Sequence, residues 1–315
     1  MYSALNGAAG RTQHTRSLRV ALFLGSDLTA HSIANAVVPE LLDQGHSVSL
    51  FLTEGHAKKG APRPLRELFF CEHTLLQRHG YPFLDRHADP DPEHPNSPAC
   101  WDCVDGVRVQ PVADVNDPAF LDTLDDHKPN VSVSLRCYQK FGEPIIDRLG
   151  HGTDSYLLNL HPGLLPRYRG VMTVLRSMQE GAQEAGFTLH HIEPEFDTGA
   201  VVSQAIYPLD YDLPVLDNMA LRYQRGADLV LDAVDQLAFD QPLGGVPQDT
   251  DRARYYSYAS TEDLAELRER GIDLYRSDSV VDTICDVFGA NLPQPGELRT
   301  ELRAALHSEG IPPAR

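Results

Sequence analysis

What most limits the folds open to this chain is an alternation that begins at Val20. Short apolar runs follow one another, separated by stretches with helical periodicity. Residues 20–24, 47–52, 107–111, 130–135, 157–161, 186–192 and 200–207 have the length and content of buried strands. Residues 65–79, 117–124, 144–149, 171–180 and 219–237 carry amphipathic helix patterns. Another helix opens near Leu28 behind the cap candidates Ser26 and Asp27, and Pro39 is expected to kink it or split off its last turn. Alternating strands and helices predict an α/β fold with a mostly parallel, doubly wound sheet and helices on both faces. Ligands of such sheets bind at the carboxyl ends of the strands. Residues 81–84 read as a further short strand, and residues 87–105, with four prolines, as a loop.

One strand ends in an unusual stretch, LLNLHPGLLPRYRG over residues 157–170. Side chains alternate along a strand, so Asn159 and His161 point the same way. Pro162 cannot donate to a ladder, which stops the strand at His161. A neutral amide and an imidazole then stand together at a strand's carboxyl end. Asp197, in Phe196-Asp197-Thr198-Gly199, follows another strand. Taken alone, Asn159 and Asp197 are turn residues and His161 a hydrogen-bonded surface histidine. Other motifs are weaker. Gly25 stands alone where a dinucleotide fingerprint needs three glycines, and no G-K-[ST] occurs. The adjacent His190 and His191 face opposite sides of their strand and make a poor metal pair, so one is expected packed and the other exposed. Cys100-x-x-Cys103 has His94 as its nearest further ligand candidate and reads as an incidental thiol pair.

N-x-H-P-x-L-L-P, then R-G, then D-T-G, in this order, resembles the signature of the formyltransferases that use 10-formyltetrahydrofolate. The resemblance covers about residues 18–240. It implies a Rossmann-type catalytic domain over 18–240, after an arm at 1–17 expected to be flexible and before a smaller α+β region at 241–315. It also implies catalysis by Asn159, His161 and Asp197, without a metal. The folate-type donor would be held by Leu135, Arg136, Cys137, Tyr138, Gly163, Leu164, Glu195 and Phe196, largely through backbone groups. Two departures stand out. Many members have serine where Gly163 stands, and Arg136-Cys137-Tyr138-Gln139-Lys140-Phe141-Gly142 replaces a pattern close to A-Y-G-x-I-L-P. The combination of HPGLLPRYRG-V-M at residues 161–172 with the later Y-Y-S-Y of residues 255–258 is most similar to the branch that formylates small amines or hydroxylamines of hydroxyornithine type.

Charge bears on the acceptor. The 315 residues hold 45 acidic and 27 Lys and Arg side chains, a formal charge of −18. Residues 241–315 contribute 13 acidic against 8 basic residues. Such a surface repels phosphate backbones and anionic membranes, so a small-molecule amine is favoured over transfer RNA as partner. No apolar run approaches the ~20 residues that span a bilayer. Five cysteines, an odd number, and no signal-peptide pattern at the N-terminus fit reduced thiols and a cytoplasmic location. A formyltetrahydrofolate hydrolase, a methionyl-tRNA formyltransferase and a non-catalytic folate-binding protein are the alternatives. The family's hydrolases usually carry an N-terminal regulatory domain, and about 17 residues precede the first strand here. The residues leave oligomeric state open.

Overall fold

The computed structural model describes residues 16–87, 96–150, 155–290 and 292–311. The arm at 1–15 and His94 lie outside them. The main sheet contains β1 (Arg19–Gly25), β2 (Ser47–Thr53), β3 (Val107–Pro111), β4 (Val131–Leu135) and β5 (Tyr156–His161). A short β6 (Arg169–Gly170) leaves this sheet, which β7 (Glu184–His191) and β8 (Val201–Pro208) complete. The strand order is β3-β2-β1-β4-β5-β7-β8. Pairing from β3 through to β5 is parallel, while β5–β7 and β7–β8 are antiparallel. The sheet is thus mostly parallel, as the alternation predicts. Strand order reverses between β1 and β4, so the crevice expected for ligands opens beyond Gly25 and Leu135. At Gly25 a Cβ would stand 2.0 Å from the Arg136 carbonyl oxygen, so only glycine lets the two strand ends approach.

Alternation along β1 divides the core. Ala21 and Phe23 pack with Phe51 and with Phe120 and Leu121 of α5 (Pro118–His127) and Ile145 of α6 (Glu143–Gly150). Val20, Leu22 and Leu24 belong to the other cluster, with Ile33 and Val37 of α1 (Leu28–Asp43) and Val230 and Val234 of α9 (Tyr223–Ala238). Asp27 caps α1 by accepting from the Ala30 amide at 3.0 Å. The helix continues through Pro39 as one element, against the expected split.

Three expectations are corrected. Residues 81–84 lie in helix α3 (Tyr81–His87), because tertiary packing of Tyr81, Phe83 and Leu84 favours a helical face over a β-pattern. The helix expected at 65–79 is α2 (Arg63–Phe69) followed by two π-helical stretches, Phe70–Thr74 and Leu76–Gly80. The 87–105 segment contains a turn of helix, α4 (Pro98–Trp101), which buries Trp101. Farther on, the stretch at 219–237 divides into α8 (Val215–Ala220) and α9, with Leu221 and Arg222 between them.

Residues beyond 240 are bound closely to the rest. β9 (Tyr255–Tyr256) pairs in parallel with β6. After α10 (Thr261–Glu269), with a Ser260–Asp263 capping box, come α11 (Ser277–Phe288) and α12 (Pro295–Ser308). The Asn35 side chain donates to the Val287 carbonyl, Asn96 to that of Phe288, and the Tyr275 hydroxyl to Glu67. Among the described residues no helix is long and apolar enough to cross a membrane.

Candidate active site

A cavity of about 360 Å³ opens beyond the carboxyl ends of β4 and β5. Asn159 and His161 of β5, His190 of β7 and Asp197 all line it. The His161 Nδ1 lies 3.4 Å from Asp197 Oδ1, and its Nε2 lies 2.6 Å from the Tyr168 carbonyl oxygen. Both ring nitrogens face acceptors, so a doubly protonated ring can donate to both. The ring is buried, as is most of the Asp197 carboxylate. Asp197 Oδ2 accepts from the Gly170 amide at 2.7 Å, which fixes the carboxylate against the basic end of the 157–170 stretch.

Asn159 is fixed by a residue that the sequence reading set aside. Register places Asn159 opposite His190, and the Asn159 amide donates to His190 Nε2 at 3.1 Å. His190 Nδ1 in turn donates to the His191 carbonyl oxygen at 2.8 Å. Burial, with His161 nearby, lowers the His190 pKa to about 4, so near neutral pH its Nε2 carries the lone pair that Asn159 requires. His190 is buried, as expected of one of the pair, while His191 is half-buried rather than exposed, with its Nε2 toward the Gly244 carbonyl. The missed signal was the antiparallel pairing of β5 and β7, which brings position 190 across from 159.

The loop after His161 is pinned from three sides. Thr173 donates to the Pro162 carbonyl. Thr188 donates to Gly163 O at 2.6 Å, and Gln204 donates to Leu165 O at 3.0 Å. At Gly163 a Cβ would lie 2.9 Å from His161 Nε2, from Thr173 Cβ and from the Tyr168 oxygen, which accounts for glycine there. Gln248, in the polar stretch that follows α9, donates to the carbonyls of Asp197 and Gly199 while its Oε1 accepts from Arg169. Asp197, Arg136 and Met172, three of the five non-glycine residues with positive φ among the described residues, line the cavity. Conformations of this kind cluster where a site over-determines the backbone.

Of the expected donor-binding residues, Arg136, Cys137, Tyr138, Glu195 and Phe196 line the cavity. Leu135 is buried in the core, and Gly163 and Leu164 contribute to the pinned loop without lining the cavity. The Arg136 side chain turns toward β1, with Nε 2.9 Å from Asp27 Oδ1 and Nη2 2.6 Å from Glu72 Oε1. Gln139, Lys140, Phe141 and Ile192, absent from that expectation, line the same wall, and Lys140 Nζ lies 5.5 Å from the centre of the Phe196 ring. Apolar rings edged by backbone polar groups suit a flat heteroaromatic ligand. Cys100 and Cys103 are unbonded thiols. Among the described residues no group of three or more His, Cys, Asp or Glu side chains is arranged to hold a metal ion.

Comparison with known proteins agrees with this architecture. The Formyl transferase family model matches residues 93–223. Methionyl-tRNA formyltransferase of Syntrophomonas wolfei is 29% identical over 157 residues, 50% of this chain and 49% of that protein. The Thermus thermophilus methionyl-tRNA formyltransferase is 27% identical over 220 residues, 66% of this chain and 69% of that protein. The crystal structure of glycinamide ribonucleotide transformylase 1 from Symbiobacterium toebii superposes with a TM-score of 0.50 at 15% identity, covering 78% of this chain and all of that one, a likeness of fold. The chain spans about half the length of the first of these curated relatives. Over the segment that carries Asn159, His161 and Asp197, the chain is similar to the formyltransferase family.

Proposed function

We propose that this chain transfers a formyl group from 10-formyltetrahydrofolate to an amine or hydroxylamine nitrogen of a small molecule, of the hydroxyornithine type that the motifs resemble. The observation that carries the reading is the buried His161–Asp197 contact at 3.4 Å, with Asn159 on the same cavity wall. In the donor's formyl group the carbonyl carbon takes the attack of the acceptor nitrogen, and negative charge develops on its oxygen. Asn159 supplies a neutral N–H to that oxygen, worth roughly 3–4 kcal/mol in such sites, while imidazolium His161, whose two N–H groups face Asp197 and the Tyr168 carbonyl, adds a positive charge beside it. Asp197 orients the imidazolium and takes the proton that the acceptor nitrogen sheds, for return to the leaving nitrogen. His190 positions the Asn159 amide. The wall of Cys137–Phe141 and Ile192–Phe196 suits the donor's ring system.

The names of the curated relatives favour transfer RNA as a second acceptor. The formal charge of −18 opposes it. Incubation with 10-formyltetrahydrofolate, with and without a panel of amines, separates the readings through the absorbance of released tetrahydrofolate. Release that requires an amine supports transfer. Equal release without amine identifies a hydrolase, and no release in any arm rejects formyl transfer. Salt-dependent micromolar binding of initiator tRNA in a gel-shift titration promotes the second reading.

A further inference from the structure

The cavity has an arm that formyl transfer itself leaves unused. Leu65, Leu68, Phe69, Glu72 and His73 form one side of it, and Val215, Leu216, Met219 and Tyr258 another. Glu72 and His73 sit on the π-helical stretch Phe70–Thr74, a wound-out geometry found often at functional sites. The charges here do not balance. Asp27, fully buried, and Glu72, 9% exposed, share the single guanidinium of Arg136. His73 adds no compensating charge near neutral pH, because burial lowers its pKa to about 4.

Arg136 is already engaged. Its Nη1 meets Met219 Sδ, and its Nη2 donates to both Glu72 Oε1 and the Tyr138 hydroxyl. Among the described residues Glu72 Oε2 meets His73 Nε2 at 3.8 Å, beyond hydrogen-bond reach, and accepts no hydrogen bond. Desolvation pushes the Glu72 carboxyl up despite Arg136, as expected of a carboxylate with half a counter-ion. The same cavity is lined by the rings of Phe69, stacked on the neighbouring His73 at 4.3 Å, and of Tyr138, 5.1 Å from His73. Aromatic faces beside an under-compensated carboxylate make a site for a cation.

We infer that Glu72 Oε2 and these rings hold a positively charged nitrogen of the acceptor, separate from the nitrogen that is formylated. The acceptor class is then a small aliphatic amine that bears a second, cationic nitrogen and no phosphate. A phosphate in this arm meets the Glu72 carboxylate and a guanidinium whose Nη2 already donates to it. The identification of the ligand as formyl acceptor rests on the proposed function, whereas cation binding does not.

Calorimetric titration of the full chain, without folate, provides the test. The probes are 1,4-diaminobutane and 1,5-diaminopentane, compared with n-butylamine, n-pentylamine and O-phosphoethanolamine. The diamines should bind about tenfold or more tighter than the monoamines of equal length, the scale of one charged hydrogen bond. O-phosphoethanolamine should bind more weakly than either class. Glu72→Gln, its folding checked by thermal denaturation, should abolish the preference for diamines. Equal or undetectable binding of diamine and monoamine by the wild type overturns the inference, and needs no variant. A diamine preference that persists in folded Glu72→Gln overturns it as well. Diamine binding without formyl transfer to any amine sinks the parent reading and leaves the cation site. Transfer that ignores the second nitrogen has the opposite effect.

Discussion

The two ends of the cavity bury polar groups by different means. At the catalytic end Asn159, His161 and Asp197 are held by a neutral histidine, two backbone carbonyls or amides and contacts between neighbouring strands. At the other end full charges from three distant segments, Asp27, Glu72 and Arg136, are packed against one another. A network anchored on backbone groups and a neutral histidine holds geometry and leaves protons free to move. A network of full charges carries more energy and depends on every member, because each buried charge relies on its counter-ion. The catalytic end should therefore govern rate, and the charged end stability and selection.

The largest expected effect falls on the charged end. Arg136→Met keeps bulk but strands two buried carboxylates, and should cost about 3–5 kcal/mol of stability at neutral pH in denaturant titrations. The loss should shrink toward acid pH as Asp27 and Glu72, both pushed up by burial, take up protons. A loss below about 1 kcal/mol, the scale of surface ion pairs, would erase the energetic contrast between the two ends.

Next in size is the catalytic end. His161→Ala and Asp197→Asn should each lower kcat by roughly 10²–10³ while folate affinity is nearly kept, since these donors act on charge that appears in the transition state. The double variant should be scarcely worse than His161→Ala, because groups acting as a unit do not add. Losses that multiply would show that the two residues act separately. Stability of these variants should change less than that of Arg136→Met.

A pH titration sharpens the contrast. Burial lowers the pKa of His31 to about 3 and those of His73 and His190 to about 4. In the unfolded chain each takes up a proton near pH 6.5. Between about pH 6.5 and 4 the unfolded state then binds more protons, so these groups make stability fall as pH falls. Asp27 and Glu72 act in the opposite sense, their raised folded values favouring the native state as protons bind. His31→Phe, away from the catalytic end, should flatten the acid slope of Tm. An unchanged slope would count against a neutral buried His31.

The smallest effect is expected at Gln248, which touches the site through the carbonyls of Asp197 and Gly199. Gln248→Ala should lower kcat about tenfold, the loss of roughly one net hydrogen bond of positioning. The pH profile of kcat should also move, which simple loosening of a surface segment would not produce. Wild-type kinetics in this variant would confine the catalytic end to the sheet and its loops.

Much of this molecule can be read along its sequence, because periodicity and turn chemistry are local. Runs of period two and 3.6 mark the strands and most helices, and Pro162 ends β5 where the strand pattern stops. Asn159 and His161 are two residues apart on one strand, so their common face follows from backbone geometry alone. Asp197 was legible as a partner only through its resemblance to a family motif. Tertiary structure decided the rest, since contacts across the sheet depend on strand order and register, which no local pattern encodes. Antiparallel pairing sets His190 on Asn159, and the parallel β6–β9 pair brings Gln248 within reach of Asp197. The approach of β1 to β4 at Gly25 closes Arg136 on Asp27, and a π-helical turn adds Glu72. Residues 27, 72 and 136 lie far apart in sequence, and folding alone puts two carboxylates on one guanidinium.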